Sequence, residues 1–223
     1  MAIGRLYIIS LNAIKAVRTV LPDSQIIVID DGSTDKTFEE AEKEQSALVK
    51  VFSIPHAGKG AAIRRGIEVS SGDIIVQYDA DMQFEAQSLP SVISPVLEGN
   101  ADIVFGSRYL KNAEIEHGSI SLVKRCASWF VAKMMSLMCG QSFTDVFAGV
   151  KAFRAGVIKD LDISQQGFAY EAEIAIKAKK RGYVIVEVPV NYSRRVIGES
   201  NIRLVYHSFS IFAKILWMYF CVR

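Results

Sequence analysis

The sequence predicts an α/β fold: an open, mostly parallel sheet flanked by helices. Three observations carry that expectation. Short β-branched runs alternate with amphipathic, charged stretches through the first half of the chain. Acidic or glycine-containing turns follow directly on those runs, where ligand-binding loops stand at the carboxyl ends of strands. No internal repeat, low-complexity segment or linker interrupts the chain, so a single compact unit is expected.

In chain order, residues 6–10 form an apolar strand-like run with one basic residue before it. The run is too short for a secretory leader, and no signal peptide is expected. Residues 26–29 read as a buried strand and 33–44 as a helix whose start offers Ser, Thr and Asp as N-caps. A strand over 49–54 leads to a helix over 60–69, where Ile63 and Ile67 share one face. Residues 73–77 read as a strand, 89–97 as a helix and 103–105 as a short strand. From about residue 118 the texture becomes more apolar. Residues 121–138 suit a helix with a narrow polar stripe, 174–181 a lysine-rich helix closed by Gly182, and 184–189 a strand.

Half of the 223 residues are apolar, and the mean hydropathy is +0.22. The excess concentrates in 121–138 and above all in 204–222, which only His207 and Lys214 interrupt. A spanning helix needs about 20 apolar residues. A helix lying in the membrane interface, with Trp217 and Tyr219 near the headgroups, fits better than a span, and a buried core helix is the alternative. The net charge of +2 gives no basis for nucleic-acid binding. Cys126, Cys139 and Cys221 are isolated, as in a reduced, cytosol-facing protein.

Four segments carry chemistry. Residues 27–35 end a strand with Asp30 and Asp31 ahead of a glycine turn, either as turn formers or as acceptors for a base or ribose. In residues 74–83, Asp79, Asp81 and Gln83 alternate after a strand. In extended chain they would point the same way. Two carboxylates and an amide oxygen suit Mg²⁺ or Mn²⁺, with other positions left to water and phosphate. In residues 56–66, Gly58 and Gly60 bracket Lys59 before a helix, an arrangement that favours an anion. Arg108 follows a strand, to meet phosphate or to pair with an acid.

In this order and spacing the four segments resemble family 2 glycosyltransferases of the GT-A fold, most closely the dolichyl-phosphate mannose synthase group. Residues 143–158, 167–174, 182–192 and 195–201 also have counterparts there, so the resemblance covers about 20–205. It implies an inverting, metal-dependent transferase moving a hexose from GDP-mannose or a UDP-sugar to a polyprenyl or dolichyl phosphate. A sugar-hydroxyl acceptor is the alternative, with Glu171 or Asp145 as its base; a nucleotidyltransferase or a non-catalytic nucleotide-binding relative ranks lower. Asp31, with Asp30 and Ile29 beside it, would hold the nucleoside. Asp79, Ala80 and Asp81 would engage the diphosphate, with Asp81 and Gln83 as metal ligands and Asp79 as a third. Arg108, Arg195 and Lys59 would neutralise phosphate, Asn201 would line the donor site, and Glu171 and Glu173 would lie on the acceptor side. The chain departs from the family at 10–13, which lacks the usual glutamate, at 84–86, which lacks His-Pro-Pro, and at Asn201, where a lysine is usual. Residues 1–117 would form the donor half, 118–201 the acceptor half and 202–223 an interface helix. The expected setting is peripheral, on the cytoplasmic face of the membrane. A homo-oligomer is compatible with these expectations.

Overall fold

A computed structural model describes residues 6–7, 11–194 and 204–221. Seven strands form one sheet in the order β3-β2-β1-β4-β6-β5-β7. They are β1 (Leu6–Tyr7), β2 (Ile26–Asp30), β3 (Val49–Ser53), β4 (Ile74–Tyr78), β5 (Ile103–Ser107), β6 (Val150–Arg154) and β7 (Ile185–Pro189). Every pairing is parallel except those of β6, which runs antiparallel to both β4 and β5. The reversal brings the loop before β6 to the same edge at which β2, β4 and β5 end. Sequence patterning misses β6 because Lys151, in its middle, reads as a surface residue although it is fully buried.

Helices α1 (Leu11–Val20), α2 (Thr37–Glu42), α3 (Lys59–Val69), α4 (Leu89–Leu97), α5 (Leu122–Cys139), α6 (Ala155–Asp160), α7 (Tyr170–Lys180) and α8 (Leu204–Cys221) cover the sheet. Period-two alternation divides β4 between two cores. Ile74, Val76 and Tyr78 pack with α1 and α4, whereas Ile75 faces α3, α5, α6 and α7.

Several boundaries differ from expectation for identifiable reasons. Helix α2 starts at Thr37 rather than 33, and Ser33 N turns back to donate to the Asp30 carboxylate. Lys36 is the N-cap, and the Asp35 carboxylate ahead of it accepts from Thr37 N at 2.9 Å. Helix α7 starts at Tyr170, four residues before the expected 174, with buried Glu171 and Glu173 hiding its apolar period. Helix α5 matches expectation, with Ser121 as N-cap and Gly140 in the left-handed region closing it.

Helix α8 combines features of both expected readings. Ile215 and Met218 are buried in the core beside α7 and α5, while Trp217 and Phe220 are exposed. Among the described residues, no helix is long and apolar enough to cross a membrane.

Candidate active site at the carboxyl edge of the sheet

Asp30 ends β2 with only 2% of its surface exposed. Its carboxylate accepts from Ser33 N at 3.2 Å and from Ser53 Oγ at 3.0 Å, so it braces the turn from inside the fold. Ile29 is equally buried in the strand. Asp31 reaches across to the β3–α3 loop, accepting from Ala57 N at 2.8 Å and Gly58 N at 2.9 Å. The two loops touch at Gly32, where φ is +73° and a Cβ would stand 2.7 Å from His56 N.

The start of α3 does not offer the open anion site expected from its glycines. The Gln166 carbonyl accepts from Gly60 N at 2.6 Å and from Ala61 N at 3.3 Å, and Asp31 takes the amides ahead of them. Gly60 is required for this closure, since a Cβ there would stand 2.1 Å from Gln165 O. Lys59 instead sends its ammonium into the site, 2.8 Å from Asp79 Oδ2 and 3.1 Å from Glu171 Oε1.

Asp79, Ala80, Asp81 and Gln83 lie on a turn and not on extended chain. Met82 takes a left-handed φ of +59°, and Asp81 Oδ1 accepts from Gln83 N at 3.2 Å. Residue 193 clamps the far end: Ser193 N donates to Gln83 O at 2.7 Å, and Gln83 Nε2 donates to Ser193 O at 3.4 Å. At the near end Asp79 N donates to Gly149 O at 3.0 Å.

The donor set suits a hard divalent cation. It offers two carboxylates and one amide, and Lys59 already holds one oxygen of Asp79. Carboxylate and amide oxygens of this kind are the ligands Mg²⁺ and Mn²⁺ take, with remaining positions filled by water and phosphate. Among the described residues, no group of three or more His, Cys, Asp or Glu side chains forms a metal cage.

Arg108 follows β5 and is held by Asp145, with Nε to Oδ2 at 2.6 Å and Nη2 to Oδ1 at 2.8 Å. Asp145 is itself fully buried, and Glu187 of β7 secures its loop by accepting from Asp145 N at 2.8 Å and Thr144 N at 2.9 Å. Burial alone would disfavour the Arg108 cation, but Asp145 holds it above its usual range. The guanidinium lies over Tyr192 at 5.0 Å and Tyr109 at 5.5 Å, and Arg125 of α5 lies over the Tyr109 ring from 5.9 Å.

Glu171 and Glu173, expected on the acceptor side, are both buried. Glu173 accepts from Ser164 N at 3.0 Å and Gln165 N at 2.8 Å and pairs with Lys177 at 2.8 Å. Glu171 is shared by Lys59, Lys151 and the Tyr170 hydroxyl. Burial would raise the Glu171 pKa, but Lys151 and Lys59 outweigh it and hold the carboxylate ionised. The same reversal applies to Lys59, which Asp79 and Glu171 keep protonated against its burial. Arg195 and Asn201 lie outside the described residues. Sequence reasoning missed Lys151, Gly149 and Glu187. The available signal was a lysine between apolar residues just after a glycine, in residues 149–153.

Residues 11–162 match the model of the family described as Glycosyl transferase family 2. The chain belongs to glycosyltransferase family 2. Within it, the chain is 28% identical over 194 residues to an undecaprenyl-phosphate mannosyltransferase of Micrococcus luteus, covering 82% of this chain and 78% of that one. It is 32% identical over 183 residues to a dolichol-phosphate mannosyltransferase of Pyrococcus furiosus, covering 80% of this chain. The alignment spans 51% of the Pyrococcus protein, about half its length. Among solved structures, glucosyl-3-phosphoglycerate synthase from Mycobacterium tuberculosis in complex with Mn²⁺, UDP and phosphoglyceric acid superposes with a TM-score of 0.73 at 19% identity. That superposition covers 98% of this chain and 78% of the synthase, and it establishes the shared GT-A fold.

Proposed function

We propose that this family 2 glycosyltransferase moves a hexose, with inversion, from a nucleotide sugar to a polyprenyl phosphate at the cytoplasmic face of a membrane. The observation that carries the acceptor choice is the condition of Asp145 and Glu171. A sugar hydroxyl needs a carboxylate to take its proton, whereas a lipid phosphate is already ionised at neutral pH. Asp145 is 0% and Glu171 1% exposed, and each is committed to cations. Neither can serve as that base without surrendering those partners.

The surroundings of Arg108 support a lipid substrate. Helix α5 sets exposed Leu122 and Val123 beside Lys124 and Arg125, and Arg125 lies over Tyr109, next to Arg108. Further along, Trp129 and Phe130 of α5 and Trp217 and Phe220 of α8 are also exposed. An apolar face edged with basic side chains favours peripheral binding to an anionic leaflet. Similarity to polyprenyl-phosphate mannosyltransferases points the same way.

In this reading Asp81 and Gln83 hold Mg²⁺ or Mn²⁺, and Asp79 contributes the oxygen that Lys59 leaves. The cation would supply charge neutralisation on the departing nucleoside diphosphate. Lys59 fixes Asp79, and the 31–33 turn borders the nucleoside. Asp145 binds the Nε and Nη2 edge of Arg108, so the acceptor phosphate would meet the opposite edge.

A panel of labelled GDP- and UDP-sugars, supplied with Mn²⁺ and undecaprenyl phosphate in liposomes, tests the proposal. Label should pass into an organic-extractable product, and Asp81→Ala should abolish the transfer while preserving the melting temperature. Label found solely on water-soluble saccharide would reject the lipid acceptor.

A further inference from the structure

Behind Asp79, four charges stand in line between the site and the centre of the sheet. Lys59 Nζ lies 2.8 Å from Asp79 Oδ2 and 3.1 Å from Glu171 Oε1, and Lys151 Nζ lies 3.3 Å from Glu171 Oε2. Side-chain exposure falls from 27% at Asp79 and 24% at Lys59 to 1% at Glu171 and 0% at Lys151. The inner pair is therefore out of reach of any substrate. Lys151 sits opposite Gln77 and Phe105 in the sheet register, with its ammonium 5.0 Å over the Phe105 ring.

A buried ion pair is weak evidence for stability, because desolvating two charges commonly offsets their attraction. A well-packed apolar pair would hold the sheet at least as well. What the charges add is placement. Lys151 also donates to the Ala148 carbonyl, and the next residue, Gly149, accepts from Asp79 N at 3.0 Å. A Cβ on Gly149 would stand 2.1 Å from Asp79 Oδ2, so that backbone presses directly on the carboxylate. Lys151 thus meets Asp79 by two routes, through Glu171 and Lys59 on one side and through Ala148 and Gly149 on the other.

We propose that Lys151 and Glu171 are positioning residues of the donor site, a buried pair that fixes Lys59 and Gly149 against Asp79. The assignment rests on reading residues 79–83 as the donor and cation site. The side chains of Lys151 and Glu171 touch neither substrate nor cation. They set the angle at which Asp79 presents its remaining oxygen, and they keep Lys59 from swinging into the space of the diphosphate.

The test uses Lys151→Met/Glu171→Gln, which removes both charges together at near-constant volume and leaves no unpaired ion. It is compared with Lys59→Met and with the triple variant. The readouts are melting temperature, Mn²⁺-dependent binding of GDP and UDP by calorimetry, and separate KM values for donor and lipid acceptor. The double variant should fold and lose about 10–100-fold in Mn²⁺-dependent nucleotide affinity, the usual effect of removing an outer-shell partner. Donor KM should rise in proportion while acceptor KM holds. The triple variant should lose less than the product of the separate losses, because one of the pair's two routes to Asp79 runs through Lys59. A folded double variant that binds nucleotide as the parent does, or losses that multiply in the triple variant, would overturn the assignment. Nucleotide affinity that falls as described, in a protein that transfers no sugar to polyprenyl phosphate, keeps the positioning role and removes the acceptor reading. Transfer by the parent with unchanged nucleotide binding in the double variant does the reverse.

Discussion

Replacing Gly149 with alanine should disable the donor site while leaving the fold standing. Gly149 is not among the glycines with positive φ, so alanine meets no backbone strain there, and the added methyl acts through contact alone. Its Cβ would lie 2.1 Å from Asp79 Oδ2 and 2.3 Å from Cγ, whereas ordinary contact begins near 3.4 Å. The carboxylate must therefore retreat by about 1.3 Å, a distance at which misplaced catalytic groups cost on the order of 10²-fold in rate. The move also breaks the 2.8 Å contact with Lys59. Overpacking of this kind costs about 1–3 kcal/mol, which at this chain length lowers the melting temperature by roughly 2–12 °C. Gly156→Ala is the control, since nothing lies within 4 Å of its added methyl. Donor kcat/KM measured under saturating lipid phosphate, together with thermal melts, separates the two effects. If Gly149→Ala keeps donor kcat/KM within about 3-fold of the parent, Asp79 does not need the position this structure gives it.

Asp145→Ala should cost about 3–5 kcal/mol in urea unfolding, because it strands the buried Arg108 cation. A loss below about 1 kcal/mol would mean Arg108 finds other solvation. Glu173→Gln should flatten the acid limb of stability. Burial opposes ionisation of Glu173, but Lys177 and the amides of Gln165 and Ser164 outweigh it and lower its pKa. A depressed carboxylate stabilises the fold above its unfolded value of about 4.3 and loses that contribution as pH falls through the folded value. Parent and variant melting temperatures should therefore converge below pH ~4, and parallel curves would contradict the assignment. Replacing Trp129 and Phe220 with serine should release the protein from anionic liposomes with little change in melting temperature, since both rings are exposed. Undiminished co-sedimentation would place the membrane contact elsewhere.

Patterning reveals the parts of this fold in which each side of a strand or helix has one environment. Strands β2 to β5 and helices α3, α4 and α5 were legible for that reason. The strand β6 was not, because a buried lysine contradicts its period, and only the partners of that lysine explain its burial. The same limit applies to the site. Asp79, Asp81 and Gln83 could be found from composition after a strand, yet the segment turns at a left-handed Met82 that no alternation predicts. The glycines around Lys59 suggested an anion at a helix start. The anion there is the protein's own Asp31, a contact made between segments 26 residues apart. Helix α8 resisted assignment because one apolar stretch serves two environments: Ile215 and Met218 enter the core, and Trp217 and Phe220 do not.

The pairing of charges also bears on why this site should need a cation. Among the described residues, Lys59, Lys151 and Arg108 each face a carboxylate, and Arg194 lies 3.5 Å from Glu116. Their charge is largely neutralised before any substrate arrives. A departing nucleoside diphosphate would bring negative charge to a sheet edge that already holds Asp79 and Asp81, so the described side chains alone would leave an excess of negative charge. In low-dielectric surroundings that excess is severe, because unscreened charges interact over the few ångströms that separate them. In the proposed function, divalent charge held at residues 79–83 would correct it at the point where the leaving group forms. Chelation by EDTA should then abolish transfer outright, and a transferase insensitive to it would require an unpaired basic residue at the same edge.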